Sequence, residues 1–415
     1  MPRELIKIST HDELFKELYE PITEAAINQA TPTLMRLKII PDFVGERIRG
    51  VARLSLGRGV GADVIPEGST PLEEKILITD KAMWGTSVLD WQAVVASQND
   101  KGAFIRVTAD EVEGTVSFFT LNKSRQIFGT NAGVLGVIKA ATAPIDNGGS
   151  PQTWSFTVSD ATWFRPHWEV GMLINFDTND NRFEITAVVH STMVVTVERR
   201  SGTFAPDTLV GGENLYMQGS KDKEIIGLSE IGAATAGTLY NVNVGTGWIA
   251  VKKDVDSKPL IPDTIVEALE DYHNETGADV SMLIFNPIQY TQIANLLEGQ
   301  KEYTQIKSRD SRFADIGWKG LLFNHRRGET ILTTDRMCQQ AEGYGVFEKE
   351  WRFYRRPGWG WLNSGGPSGG TRYSKDFNVG ERPRYQAHYG GFGEHFHHPA
   401  RLLYFSNMEI PDIFS

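Results

Sequence analysis

The residues best suited to chemistry stand near the C-terminal end, where Glu394, His395, His397 and His398 fall almost side by side. Imidazoles at His395 and His397 would project to one face of a strand and could chelate a metal ion. However, no HExxH pattern is present and a single strand supplies at most two or three ligands, so the pattern favours a solvated, pH-sensitive turn. Glu267, Glu270 and Asp271, in a chain with ten tryptophans, are the materials of a glycosidase, yet acids on a helix face are ordinarily just solvated. No GxSxG elbow occurs, and Cys338 has no recognisable catalytic context and reads as a small buried residue. Gly57, Gly59 and Gly61 follow a strand, as a phosphate-cradling loop would. They lack both the third glycine of a dinucleotide fingerprint and the Gly-Lys-Ser/Thr of a P-loop, and no helix start follows, so an extended hairpin is the better reading. Arg326, Arg327, Arg352, Arg355, Arg356, Arg382 and Arg384, interleaved with aromatics, could form a nucleic-acid patch. In a chain of net charge -10, intersubunit salt bridges suit them better. No catalytic residue, cofactor or metal is therefore expected.

Composition bounds the rest. The 415 residues are 40% apolar and 23% charged, ordinary for a globular protein of two or three domains. One cysteine excludes an internal disulfide framework and any multi-cysteine metal site. The first residues lack an apolar signal core, and no window approaches a membrane span, so neither signal-peptide secretion nor membrane insertion is expected.

The element that must position everything else is residues 99–133, the longest helical pattern in the chain. Ile105, Val112, Val116, Phe119 and Ile127 form one apolar stripe, and Phe104, Val107, Phe118, Leu121 and Phe128 a second, so the helix should be gripped on two sides. Asn99 or Asp100 can cap its start and Gly129 its end. At ~1.5 Å per residue, a helix over 101–128 is roughly 40 Å long, which makes it a spine. Upstream, Leu14, Leu18, Ile22 and Ala26 set a helical stripe over 10–30 that Pro32 breaks, and residues 34–44 are apolar without a partner nearby in sequence. Strands are expected at 50–56 and 76–89, joined by a glycine-rich connection with Pro66 and Pro71 that is too long for a tight hairpin.

Residues 151–212 read as short strands between turns, a small all-β insertion, and 213–219 as loop. A helix opens at Pro262 and Asp263, runs through Ile265, Leu269 and Tyr272 and closes at Gly277. A buried strand at 280–285 and a helix from Pro287 follow. Strand patterns continue at 320–323, 330–333 and 344–348, then through the aromatic stretch of Trp351, Phe353, Tyr354, Trp359 and Trp361 to a last strand within 400–410.

In this order the pieces resemble a major capsid protein of tailed bacteriophages, with the Hong Kong 97 type of fold. The strings that carry the resemblance are RLKII, GRGVGA followed by EGSTP, and GAFIRVTADEVEGTVSFFTLNKSRQIFGTNAGVLGVI. It implies an α+β chain divided into an N-terminal arm (1–45), an extended loop hairpin (46–90), a peripheral domain with the spine helix (91–150), an inserted small all-β domain (151–222), an axial domain (223–370) and a return to the peripheral domain (371–415). The implied role is structural: self-assembly into hexamers and pentamers that form the icosahedral head shell around phage double-stranded DNA.

The resemblance also implies that Leu34 and Leu37 of the arm, and Gly57, Arg58, Gly59, Gly61, Pro66 and Glu67 of the loop, lie against neighbouring copies. The spine, through Phe104, Ile105, Val112, Val116, Phe118, Phe119 and Phe128, would hold its own sheet on one side and a neighbour's arm or loop on the other, so that Phe118→Asp would probe assembly. Because the arm starts within a few residues of Met1, a separate scaffolding protein is expected, with portal and decoration proteins as further partners and no membrane. The expected location is the virion, after assembly in the host cytoplasm. Lys75 and Lys81 match no crosslinking motif, so no covalent chainmail is expected. A negative chain would touch packaged DNA only weakly. The residues by themselves leave two other readings, a glycan-active hydrolase and a metal-binding β module.

Overall fold

Alternation builds the hairpin. Arg47–Arg53 and Glu73–Thr79 pair antiparallel, from Arg47 opposite Thr79 to Arg53 opposite Glu73. Ala52, Ile76 and Ile78 are buried on one face, while Arg47, Arg49, Val51 and Lys75 are exposed on the other, as in a ribbon wetted on one side. The single strand expected over 76–89 is two, Glu73–Thr79 and Lys81–Asp90. The chain changes sheets at Asp80, whose carboxylate is held by Arg356 at 2.8 Å. This computed structural model describes residues 32–410 apart from 42, 44, 46, 56–66, 69, 91–100, 143, 149–151, 160–161, 165–166, 178, 202–209, 297–320, 326–327, 358, 362–373 and 377–383. The helical stripe of residues 10–30 lies outside them.

Lys81–Asp90 runs antiparallel along the 13-residue strand Arg384–Phe396. Arg352–Arg355, Gly360–Trp361 and Ser374–Asp376 line the other edge of that long strand, and Lys38–Ile40 adds in parallel to Arg352–Arg355. The spine helix occupies Lys101–Phe128, at the expected bounds, and lies across this sheet. It comes close at Gly85, where a Cβ would sit 3.3 Å from Thr115 Cγ2. Phe119 meets Tyr389 edge-on at 5.3 Å and Trp359 at 5.9 Å. The Lys123 ammonium lies 4.1 Å from the centre of the Phe353 ring, a cation–π contact beneath the same sheet.

A second sheet of seven strands is built from Val134–Val137, Asn214–Met217, Leu173–Phe176, Asn179–Val189, Val194–Ser201, Thr153–Thr157 and Ile145–Gly148. It closes on itself: the Lys139 N–H bonds Thr157 O at 2.8 Å and the Ser159 N–H bonds Val137 O at 2.7 Å, around an Ile138 to Val158 bridge. Closure leaves the main strands without open edges. The interior holds a core of Trp154, Phe156, Phe176, Phe183, Ile185 and Val197 among others. Asn214–Met217, expected as loop, is a strand of this barrel, with Leu215 and Tyr216 buried. Two adjacent apolar residues leave no alternation to signal it.

The third sheet is mixed, in the order Val251–Asp254, Leu403–Ser406, Gly343–Val346, Met282–Phe285, Gly328–Thr334, Leu321–His325. Met282–Phe285 is buried along its whole length, because both faces are covered. The helix Pro262–Thr276 seats Ile265, Ala268, Leu269 and Tyr272 against Leu283, Phe285, Leu403 and Phe405. Its proline stands at N1 and Gly277 closes it at φ 65°. Met282, Ile284, Tyr344 and Tyr404 face the other way, into a core shared with the spine.

Candidate functional site

The histidine cluster is not a solvated turn. His395 and His397 are fully buried and Glu394 is 1% exposed. The Trp351 indole N–H donates to His395 Nε2 at 2.7 Å, and His395 Nδ1–H donates to Ile226 O at 2.7 Å. His397 Nε2 accepts from the Phe347 N–H at 3.2 Å, and its Nδ1–H donates to His398 O at 3.0 Å. Each ring is thus held as one neutral tautomer with both nitrogens engaged. Burial lowers His395 to a pKa of about 4 and His397 to about 3. Burial pushes the Glu394 carboxyl well up, although its Oε1 accepts from the N–H groups of Ile226 and His395. Chelation would break these bonds, and no group of three or more candidate ligands occurs among the described residues. The cluster locks Arg384–Phe396 to Ile226 and, through Trp351, to the start of the strand carrying Phe353.

The arm base also finds its partners at home. Leu34 and Leu37, expected on a neighbouring copy, are 6% and 4% exposed and lie in the chain's own main core. Pro32 opens a short helix, Pro32–Arg36. Thr33 Oγ1 donates to Asp335 Oδ2, and Arg36 pairs with Glu348. Lys38–Ile40 then joins the long-strand sheet. The partners of this apolar segment are some 300 residues downstream, as in the Thr33 to Asp335 separation of 302, so local sequence could not reveal them.

Of the spine residues, Val116, Phe119 and Phe128 are buried in the chain's own core. The side chains of Phe104, Ile105 and Val112 lie outside the described residues. Phe118, expected to face an adjoining copy, packs against the barrel core instead, beside Leu135, Met172 and Met217. Below it, Arg125 and Glu224 form a buried pair, with Asn122 Oδ1 accepting from Arg125 Nε at 3.0 Å. The second grip on the spine is therefore the barrel, at least from Phe118 onward.

Of the loop residues, Gly57, Arg58, Gly59, Gly61 and Pro66 lie outside the described residues, and Glu67 is exposed. The hairpin below them is anchored: the Leu77 N–H donates to Tyr240 O at 2.9 Å, and Glu74 Oε2 accepts from the Asn243 N–H at 3.1 Å. Its exposed face carries residues that the expected strand, begun at 50, omitted. Arg47, Arg49 and Arg53 alternate with Ile48, Gly50 and Ala52 in RIRGVAR, a period-two signal that was legible.

No family profile and no curated protein matches the chain. Solved structures do. The capsid asymmetric unit of cyanophage A-1(L) aligns with TM-score 0.53 at 8% identity, over 92% of this chain and 93% of that one. The capsid of Myoviridae phage XM1 aligns with TM-score 0.41 at 8% identity, over 90% of each chain. A procapsid of satellite phage P4 aligns with TM-score 0.41 at 8% identity, over 95% of this chain and 92% of that one. The cyanophage alignment shows the fold: this chain has the mixed helix-and-sheet fold found in the cyanophage A-1(L) capsid.

Proposed function

We propose that the chain is a structural major capsid protein, self-assembling into hexamers and pentamers that form an icosahedral head shell around double-stranded DNA. The observation that carries this reading is the cyanophage likeness over nearly the whole of both chains. Two features support it. The hairpin Arg47–Arg53 with Glu73–Thr79 is joined by a long connection beyond the Arg53 to Glu73 rung, and the histidine cluster is spent on internal locks. On this reading the protein acts without catalysis, in the virion, with assembly in the host cytoplasm. A separate scaffolding protein, a portal and decoration proteins are its partners, and the barrel is a domain inserted after the spine. Negative-stain electron microscopy of the purified full chain tests it: rings or closed shells are expected, and dispersed single subunits under every salt and protein concentration contradict it. Replacing residues 57–70 with a two-residue turn, short of the strand that starts at Glu73, should leave a folded subunit that forms no shells.

A further inference from the structure

The hairpin's exposed face is a row of cations with an apolar centre. Arg47 stands opposite Thr79, Arg49 opposite Leu77, Val51 opposite Lys75 and Arg53 opposite Glu73. Among the described residues only the last rung is neutralised, by the Arg53 to Glu73 ion pair at 2.9 Å. Val51 in the middle is 64% exposed. Arg47, Arg49 and Lys75 thus gather three cations on one face of the hairpin in a chain of net charge -10.

The helix Pro262–Thr276 presents the complement. Asp263, Glu267, Asp271 and Glu275 follow at four-residue steps, which places them in one row on the helix surface, and all four are exposed. Lys253 offsets Glu267 at 2.9 Å. Otherwise like charges adjoin like charges along the row, which disfavours an isolated helix. Val266, 37% exposed, lies beside the row near its middle. The spacings agree: Arg49 and Arg47 stand about 7 and 13 Å from Val51 at the rise of a strand, Asp271 and Glu275 about 7 and 13 Å from Val266 at the rise of a helix, and Lys75, on the Val51 rung, is left for Asp263. Each surface alone holds self-repelling charge that the other would relieve.

We infer that the outer face of this hairpin docks on the acidic row of Pro262–Thr276 in a second copy of the chain, Arg47, Arg49 and Lys75 meeting Asp263, Asp271 and Glu275 around a Val51 to Val266 contact. The inference rests on the self-assembly reading and names one of its contacts. It is tested with Val51→Cys and Val266→Cys together in the full chain, where the native Cys338 is buried. Mixed isotope-labelled and unlabelled copies are oxidised under assembly conditions, and linked peptides are read by mass spectrometry.

A link between 51 of one copy and 266 of another is expected, since a disulfide needs Cα atoms within about 7 Å. Added Arg47→Glu and Arg49→Glu should lower its yield about tenfold or more at low salt, and further Asp271→Lys and Glu275→Lys should restore it. Shells that form without this link overturn the contact while leaving the shell reading intact. Charge reversal that leaves the link unchanged but abolishes retention of duplex DNA also overturns it, and assigns the cations to a polyanion. Failure of every variant and of the parent to associate overturns both.

Discussion

At the scale of single residues, the buried imidazoles make the sharpest statement about protonation. In the unfolded chain a histidine titrates near 6.5, whereas in the fold His395 falls to about 4 and His397 to about 3. Between those values the unfolded state binds more protons. The contribution of these rings to stability is therefore complete above pH 6.5 and is lost as pH falls toward the folded values. Glu394, with a raised carboxyl, acts in the opposite sense: the folded state holds its proton longer, and that contribution is lost as pH rises. Site-resolved NMR separates the two, and should find both rings as neutral Nδ1–H tautomers at pH 5.5. A ring titrating near 6.5 would contradict the lock.

Two glycines give a second residue-scale test through opposite outcomes of one substitution. Gly114 is exposed in the spine with nothing near its absent Cβ, so Gly114→Ala should stabilise the subunit by about 0.5–1 kcal/mol. Gly390 has φ 149°, and a Cβ there would stand 1.9 Å from Met83 O. Gly390→Ala should cost at least about 3 kcal/mol, read by denaturant unfolding.

At the scale of elements, the arm base decides between an internal and an external role. Leu37 lies in the chain's own core, so Leu37→Ala should destabilise the isolated subunit by about 2–5 kcal/mol. A contact made only on a neighbour would leave the subunit's unfolding midpoint unchanged and weaken assembly alone. Phe118→Asp likewise becomes a probe of the seam between spine and barrel: it should loosen barrel packing, seen as faster amide exchange at Leu135 and Met217, before it acts on any neighbouring copy.

The spine was legible because no proline interrupts Lys101–Phe128 and apolar residues recur there at helical spacing on two stripes, and the helix Pro262–Thr276 because proline and glycine mark its ends. The barrel strands were legible as strands from their alternation. Its closure was not, since the hydrogen bonds that seal it join Val137 and Lys139 to Thr157 and Ser159 beyond the ends of the strands, and strand alternation says which residues face inward but not which strands pair. The histidines were misread for a related reason. Nothing in EHFHH says that Trp351 and Ile226 will arrive from other elements to cover the rings and take their nitrogens.

At the scale of the whole molecule, three sheets share one architectural arrangement. The spine joins the long-strand sheet to the barrel, and the arm base ties the long-strand sheet to the mixed sheet through the Thr33–Asp335 and Arg36–Glu348 contacts. A subunit braced in this way would present the hairpin and the acidic helix as preformed surfaces, which lowers the ordering cost of association. Assembly of such subunits into a closed shell, as proposed, is read out by sedimentation velocity of the purified full chain. Species with the mass of rings of copies and of closed shells are expected, growing with protein concentration at low salt. A single species at 46.3 kDa, the mass of one chain, at all concentrations and salts would contradict it.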